Sequence, residues 1–324
     1  MGGDGAMYVM VIPTTNTGAV VPGDLYAVNP DHTIRWVWHS DANVGSSVPA
    51  VSPDGTVYFT ADGSGALVAI GPGGVAKWKF TPSGSALTGP VTIGPDGTLY
   101  VEDIASRVYA VAPETGAPTW SFDAKGGFSQ PQGAVAMSND GSTIYALGAA
   151  GVLSAVDRRG ALKWQASIGS GEGAQGAPSV GPDGTIYVAT GDANSVGVVE
   201  AVTPAGALKW QYHASGNFET TPAVTTEGLI VARNNAGLVV ALHASDGGAA
   251  WTYQLPGNDS SPDNLASPIV GADGMVYVDN AKGFVAIKNG TVAWTGDAGR
   301  GEPAALAPSG VLYYGNMGGA LAYK

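Results

Sequence analysis

The sequence contains no cysteine. This absence excludes a thiol nucleophile, disulfide bonds and zinc–thiolate sites. The sequence also lacks any apolar run of about 18 residues, the minimum length for a membrane-spanning helix, so we expect no membrane insertion. Nucleophile elbows, phosphate-binding loops and dinucleotide-binding fingerprints are missing as well. The sequence therefore predicts no catalytic residue and no metal site.

Positive charge is scarce. The chain has 14 Lys and Arg residues against 26 Asp and Glu residues, which gives a net charge of -12 at pH 7. Such a balance repels nucleic acids and anionic membrane surfaces, so we expect no nucleic-acid partner. Glycans, cationic ligands and other proteins remain candidate partners.

Short sequence words recur along the whole chain. The first word is an Asp-Gly turn followed by a Tyr-bearing strand, as in DGTVYF at Asp54 and DGTIYV at Asp183. The second is an apolar–Ala–apolar strand, as in LVAI at Ala69 and VVAL at Ala241. The third is a tryptophan that closes the repeat, and seven copies lie between 41 and 46 residues apart: Trp36, Trp78, Trp120, Trp164, Trp210, Trp251 and Trp294.

A repeat of this length, built from short strands and glycine turns, is typical of a β-propeller blade. Eight copies of the first two words predict one all-β propeller domain over residues 1–324, with eight blades of mostly four antiparallel strands. The first and last sheets should be incomplete, and seven blades is the alternative. We expect five of the tryptophans to be largely buried between blades: Trp78, Trp120, Trp164, Trp210 and Trp251.

The segment AVAPETGAPTW from Ala110 to Trp120 carries a family resemblance. An alanine strand, a Thr-Gly turn and a tryptophan in this order resemble the tryptophan-docking repeat of the pyrroloquinoline-quinone-like (PQQ-like) propellers. The segment from Ala241 to Trp251 has the same length. The resemblance covers essentially the whole chain and includes both quinone-dependent dehydrogenases and a non-enzymatic outer-membrane assembly lipoprotein type.

The two branches of this family differ in what they imply. The dehydrogenases imply a bound quinone, Ca²⁺ held by Glu, Asn and Asp, and a catalytic Asp. Many of them place a cysteine pair over the quinone and are much longer than this chain, which has no cysteine. The sequence is therefore closer to the non-enzymatic type, for which we expect no cofactor.

Variable loops offer the candidate binding residues. In a propeller, the loops between second and third strands share one face with the loops that join consecutive blades, and here these are the polar, variable ones. Polar residues at this face, near the mouth of the expected central channel, are our ligand-binding candidates: Glu219, Asp263, Asn264, Arg233, Asn234, Asp103 and Glu302.

We therefore predict a non-catalytic binding or scaffolding propeller that presents its variable loops to a protein or glycan partner. The alternative is a PQQ- and calcium-dependent alcohol or sugar dehydrogenase. The lysine-poor, acidic composition is typical of exported bacterial proteins, whereas MGGDGAM lacks the segments of a secretory leader. We expect an extracytoplasmic monomer, periplasmic or secreted, whose leader is absent from this sequence.

Overall fold

The computed structural model describes residues 2–11, 22–40, 48–61, 64–124, 134–148, 150–169, 176–256, 266–280, 283–296, 304–306, 310–316 and 319–323. Within these ranges the chain forms β-strands and turns, without an α-helix. Accordingly, no helix in the described ranges could span a membrane. The strands belong to two compact units, Met1–Val135 with Arg159–Ala161, and Ala136–Arg158 with Leu162–Lys324.

The first unit contains three antiparallel sheets, in which consecutive strands are hydrogen-bonded neighbours. Sheet 1 has three strands: β1 (Met7–Val11), β2 (Asp24–Val28) and β3 (Ile34–His39). Sheet 2 has four: β4 (Ala50–Val51), β5 (Val57–Ala61), β6 (Ala66–Ile70) and β7 (Ala76–Phe80). Sheet 3 also has four: β8 (Leu87–Ile93), β9 (Leu99–Asp103), β10 (Arg107–Val111) and β11 (Pro118–Asp123).

The second unit contains five sheets with the same strand order. Sheet 4 comprises β12 (Ala136–Met137), β13 (Thr143–Gly148), β14 (Val152–Asp157) and β15 (Leu162–Ser167). Sheet 5 comprises β16 (Ser179–Val180), β17 (Ile186–Gly191), β18 (Val196–Val202) and β19 (Leu208–Ser215). Sheet 6 comprises β20 (Ala223–Val224), β21 (Leu229–Arg233), β22 (Leu238–His243) and β23 (Ala249–Gln254). Sheet 7 comprises β24 (Ile269–Val270), β25 (Val276–Asn280), β26 (Gly283–Lys288) and β27 (Thr291–Gly296), and sheet 8 comprises β28 (Ala304–Leu306), β29 (Leu312–Asn316) and β30 (Gly319–Tyr323).

Eight sheets are thus present among the described strands, and the two three-stranded ones are the first and the last. This agrees with the incomplete terminal repeats expected from the sequence. The sequence predicts one domain over residues 1–324, and this stays a prediction. The contacts divide the chain into the two units described above.

The recurring tyrosine, alanine and tryptophan form a row across each four-stranded sheet except sheet 6, where Val231 takes the place of the tyrosine. In sheet 5, Tyr187 and Trp210 lie opposite Ala201 on its two neighbouring strands. Their ring centroids are 5.8 Å apart. The rings meet over the methyl group of Ala201, so a larger side chain there would force them apart. The register shifts directly after this alanine, between Ala201 and Val202, and the bulge recurs at the same position of the other repeats.

The tryptophans of sheets 1 to 6 also dock on a turn of the following sheet. The indole N–H of Trp164 donates to the carbonyl oxygen of Pro204, at 2.9 Å. The ring covers Gly206, which has a φ of +85°. A Cβ at this position would lie only 2.7 Å from the indole. Glycine is therefore required in the turn by the backbone and by the neighbouring ring together.

The expected burial of the tryptophans is correct only for Trp210, which is 7% exposed. The other four named above, Trp78, Trp120, Trp164 and Trp251, are partly buried. All five lie on the last strand of their sheets, and at four of them this position leaves part of the indole uncovered.

Candidate functional site

The turn after β21 and the loop before β20 meet at one end of sheet 6, where three candidate residues lie. Asn234 shapes the turn: its Oδ1 accepts hydrogen bonds from the N–H groups of Ala236 and Leu238, at 3.1 and 2.9 Å. Its Nδ2 donates to the carbonyl oxygen of Ser215, at 2.7 Å. Asn234 is completely buried, so this candidate organises the turn rather than facing a ligand.

The neighbouring Asn235 joins this turn to the loop from sheet 5. Its N–H donates to the carbonyl oxygen of Asn217, and the N–H of Asn217 donates to Oδ1 of Asn235, each at 2.9 Å. This reciprocal pair fixes the loop backbone at the position where Glu219 follows. The position of Glu219 is therefore fixed both by its own loop and by the turn after β21.

Glu219 is partly buried. Its Oε1 accepts a long hydrogen bond of 3.4 Å from Nδ2 of Asn235, and its Oε2 has no hydrogen-bond partner among the described residues. Burial raises the pKa of Glu219, and hydrogen bonds from Asn217 and Asn235 partly oppose the shift. Oδ1 of Asn217 is also without a partner. We call these three residues the Asn217–Glu219–Asn235 network. Its two atoms without a partner, Oε2 of Glu219 and Oδ1 of Asn217, are hydrogen-bond acceptors that lie buried.

Arg233 lies below this network in a buried ion pair. Its Nη1 is 2.8 Å from Oδ1 of Asp279 on β25, and each side chain is 1% exposed. Its carbonyl oxygen accepts a hydrogen bond from the hydroxyl of Thr220, at 3.2 Å. The pair therefore connects sheets 6 and 7 beneath the loops, and the guanidinium is not presented to solvent.

The remaining candidates are placed elsewhere. Asp103 lies in the first unit and is 1% exposed. Its Oδ1 accepts from the N–H groups of Ala105 and Arg107, at 2.9 Å each, and its Oδ2 accepts from the hydroxyl of Tyr109, at 3.1 Å. Asp103 is thus a buried turn former like Asn234. Three candidates lie outside the described residues: Asp263, Asn264 and Glu302.

Several notable polar residues escaped the sequence analysis because they lie inside strands. Glu102 and Asp279 were not among the candidates, and they occupy the same repeat position as the candidate Arg233, two residues after the one that faces the repeated alanine. A charged residue at this position of an otherwise apolar strand is the sequence feature that could have indicated them. Glu200 similarly interrupts the apolar–Ala–apolar word of β18 and is 1% exposed, with a hydrogen bond from Gln211.

Glu102 has the most perturbed environment of the carboxyl groups in the first unit. It is 3% exposed, and its Oε1 has no hydrogen-bond partner within the described ranges. Burial raises the pKa of Glu102 to about 8, the nearby charge of Asp103 adds to the shift, and a hydrogen bond with Ser106 opposes it. The folded chain therefore keeps this carboxyl protonated at neutral pH.

No group of three or more His, Asp or Glu side chains with metal-binding geometry is found in the described part of the chain. The chemistry that the described groups offer is hydrogen-bond acceptance at the Asn217–Glu219–Asn235 network. Its unpaired oxygen atoms are buried, and no nucleophile lies beside a base in this network.

The strand order, the repeat and the docked tryptophans define a PQQ-like, all-β propeller, as predicted from the sequence. The family model described as outer membrane protein assembly factor BamB matches residues 22–196 and 195–322. The chain belongs to this family. No curated protein matches the sequence.

Solved structures show the same fold. BamB from Moraxella catarrhalis matches with a TM-score of 0.75 and 17% identity, over 98% of this chain and 98% of that one. Virginiamycin B lyase from Staphylococcus aureus, with selenomethionine, matches with a TM-score of 0.67 and 12% identity, over 94% of this chain and 98% of the lyase. A streptogramin B lyase matches with a TM-score of 0.63 and 14% identity, over 84% of this chain and 90% of that one. At these identities the similarity establishes the fold, and the fold serves both an assembly factor and lyases.

Proposed function

We propose that this chain is a non-catalytic scaffold that acts in the assembly of outer-membrane proteins, outside the cytoplasm. The observation that carries this proposal is the family match, which extends from residue 22 to residue 322. The similarity to BamB along 98% of both chains supports it. A scaffold of this kind requires a rigid frame with a distinct recognition surface, and the docked sheets provide the frame.

The loop end of sheet 6 is the recognition surface in this proposal, and its partner is a protein. The Asn217–Glu219–Asn235 network lies at this end on partly buried side chains, in a chain with a net charge of -12, and its two unpaired acceptor atoms are buried. A lysine or arginine side chain of the partner would complement the charge, and it would reach these acceptors only if the loop shifts on binding. Arg233 and Asn234 act here as positioning residues that keep the turn in place.

Site-specific photo-crosslinking in the native cells tests this assignment. A photoreactive amino acid at Ala236, which is exposed in the turn after β21, should form a crosslink to a protein of the outer-membrane assembly machinery. The physical reason is proximity, since Ala236 adjoins Asn235 and Gly216 at the proposed surface. Mass spectrometry of the crosslinked band identifies the partner.

Thr226 is the matched control, because it is exposed in the turn at the opposite end of the same sheet. The same photoreactive residue there should give no such crosslink. Equal crosslinking from Ala236 and Thr226, or none from Ala236, would contradict the proposed surface.

A further inference from the structure

A cavity of about 440 Å³ lies in the first unit between the last strand of sheet 1 and the outer strands of sheet 2. It is separate from the loop surface discussed above, which belongs to the second unit. Cavities of a few hundred Å³ with a mainly apolar lining and a few polar groups are typical of small-molecule sites. Its lining consists of an apolar floor and a polar rim.

The floor is formed by Trp38, Val68 and Ala61. Val68 and Ala61 are buried, and Trp38 is held in an edge-on contact with Phe59, with ring centroids 5.5 Å apart. Trp38 is the one tryptophan outside the repeated docking series. The contact with Phe59 fixes the orientation of Trp38. Trp38 is also partly exposed, so part of its ring faces the cavity.

The rim carries positive charge. Lys79 lies directly opposite Val68 on the neighbouring strand, so its side chain leaves the sheet on the cavity side. Lys79 is exposed and lines the rim, and no ion pair or hydrogen bond of its ammonium group is found within the described residues. His39 also lines the rim; its side chain is 76% exposed, and its Nδ1 lies 2.9 Å from Oδ1 of Asp24.

Lys77 also lines the cavity, but its ammonium group is already engaged. Its Nζ lies 3.3 Å from the hydroxyl of Thr56 and 4.0 Å from Oδ2 of Asp54. This pairing recurs in sheet 5, where Lys209 lies 3.5 Å from Asp183. Lys77 therefore belongs to the repeat, and Lys79 is the lysine that the repeat does not explain.

The repeat confirms that Lys79 is particular to this sheet. The residue directly after each closing tryptophan is neutral in the other repeats: Val37, Ser121, Gln165, Gln211, Thr252 and Thr295. A lone basic residue at this position, on a strongly acidic chain, is unexpected for a solvated repeat position. It lies where a cavity, an exposed tryptophan face and a histidine are also found.

We propose that this cavity binds a small aromatic carboxylate, meaning a flat apolar body with one anionic group. The ring system packs on Trp38 and Val68, and the carboxylate meets the ammonium group of Lys79. Charge complementarity selects an anion here although the chain as a whole is acidic. The proposal is independent of the scaffolding function, since it concerns a different unit and different residues.

The test uses 2-naphthoate as the probe and protein labelled with 5-fluorotryptophan. The ¹⁹F signal of Trp38 is the one that disappears in the Trp38→Phe variant, which retains an aromatic ring against Phe59. We expect 2-naphthoate to shift this signal in a saturable way. Lys79→Gln should weaken binding about three- to fivefold, the range expected for one solvent-accessible ion pair, and Lys79→Arg should restore it.

Two comparisons separate this site from non-specific binding. Lys209→Gln, in the other unit, should leave the affinity unchanged, and the uncharged 2-naphthalenemethanol should bind about three- to fivefold more weakly than 2-naphthoate. The proposal is overturned if the Trp38 signal does not respond, if Lys79→Gln binds as tightly as the parent chain, or if the alcohol binds as tightly as the acid.

Discussion

Replacing Arg233 with alanine is expected to lower the free energy of unfolding by about 3–5 kcal/mol, the usual cost of removing one partner from a buried ion pair. The Asp279 carboxylate would remain in a site where both side chains are now 1% exposed. Urea unfolding followed by tryptophan fluorescence measures the change.

The first unit offers a matched control. Nη1 of Arg35 lies 2.7 Å from Oδ2 of Asp4, but these side chains are 32% and 52% exposed. Arg35→Ala should therefore cost less than about 1 kcal/mol, as for other exposed pairs. If Arg233→Ala and Arg35→Ala proved equally mild, burial would not be what makes the inner pair important.

A double replacement refines the argument. Arg233→Met combined with Asp279→Leu buries no charge, so it should be less destabilising than Arg233→Ala alone. A double variant that is at least as unstable as the single one would show that the pair contributes net stability through its geometry.

Glu102→Gln is expected to remove a pH dependence of stability. In the unfolded chain this carboxyl ionises near pH 4.5, whereas in the folded chain burial raises its pKa to about 8. Its contribution to stability is therefore fully present below pH 4.5, declines as the pH rises, and is lost above about pH 8. Between about pH 5 and pH 8 the parent chain should lose about 3 kcal/mol that the glutamine variant retains.

Unfolding in urea at several pH values, with the parent and the variant side by side, gives this difference directly. Glu114→Gln is the control, because Glu114 belongs to the same sheet but is exposed. The stability of the Glu114→Gln variant should equal that of the parent chain at every pH. A constant difference between parent and Glu102→Gln from acid to alkaline pH would contradict the buried, protonated state of Glu102.

The fold was largely predictable because each repeated word has one physical role. The Asp-Gly words form the expected turns: Oδ1 of Asp183 accepts from the N–H of Thr185 at 3.0 Å, and Gly184 has a φ of +81°. The alanine words proved to lie between the tyrosine and tryptophan rings. Tryptophan exposure was not predictable from spacing, since spacing does not show how far an edge strand is covered.

The candidate site was predictable only in part. Glu219 was found because it precedes a first strand, where polar residues have no role in packing. Asp103 and Asn234 were chosen as rim residues, but both use their side chains to bond nearby backbone N–H groups. Sequence alone does not separate an Asp or Asn that forms such a turn from one that faces a ligand. Asp279 was missed as the partner of Arg233, because this contact joins residues of two different repeats.

The measurement that tests the scaffolding role most directly is the amount of folded outer-membrane protein in cells that lack this gene. We predict that the amount falls, that the parent chain and a Thr226→Arg variant restore it, and that an Ala236→Arg variant does not. The arginine at position 236 would place a bulky cation beside the Asn217–Glu219–Asn235 network, where we expect the partner's basic group. Unchanged outer-membrane protein levels in the deletion strain, or full restoration by Ala236→Arg, would contradict this account.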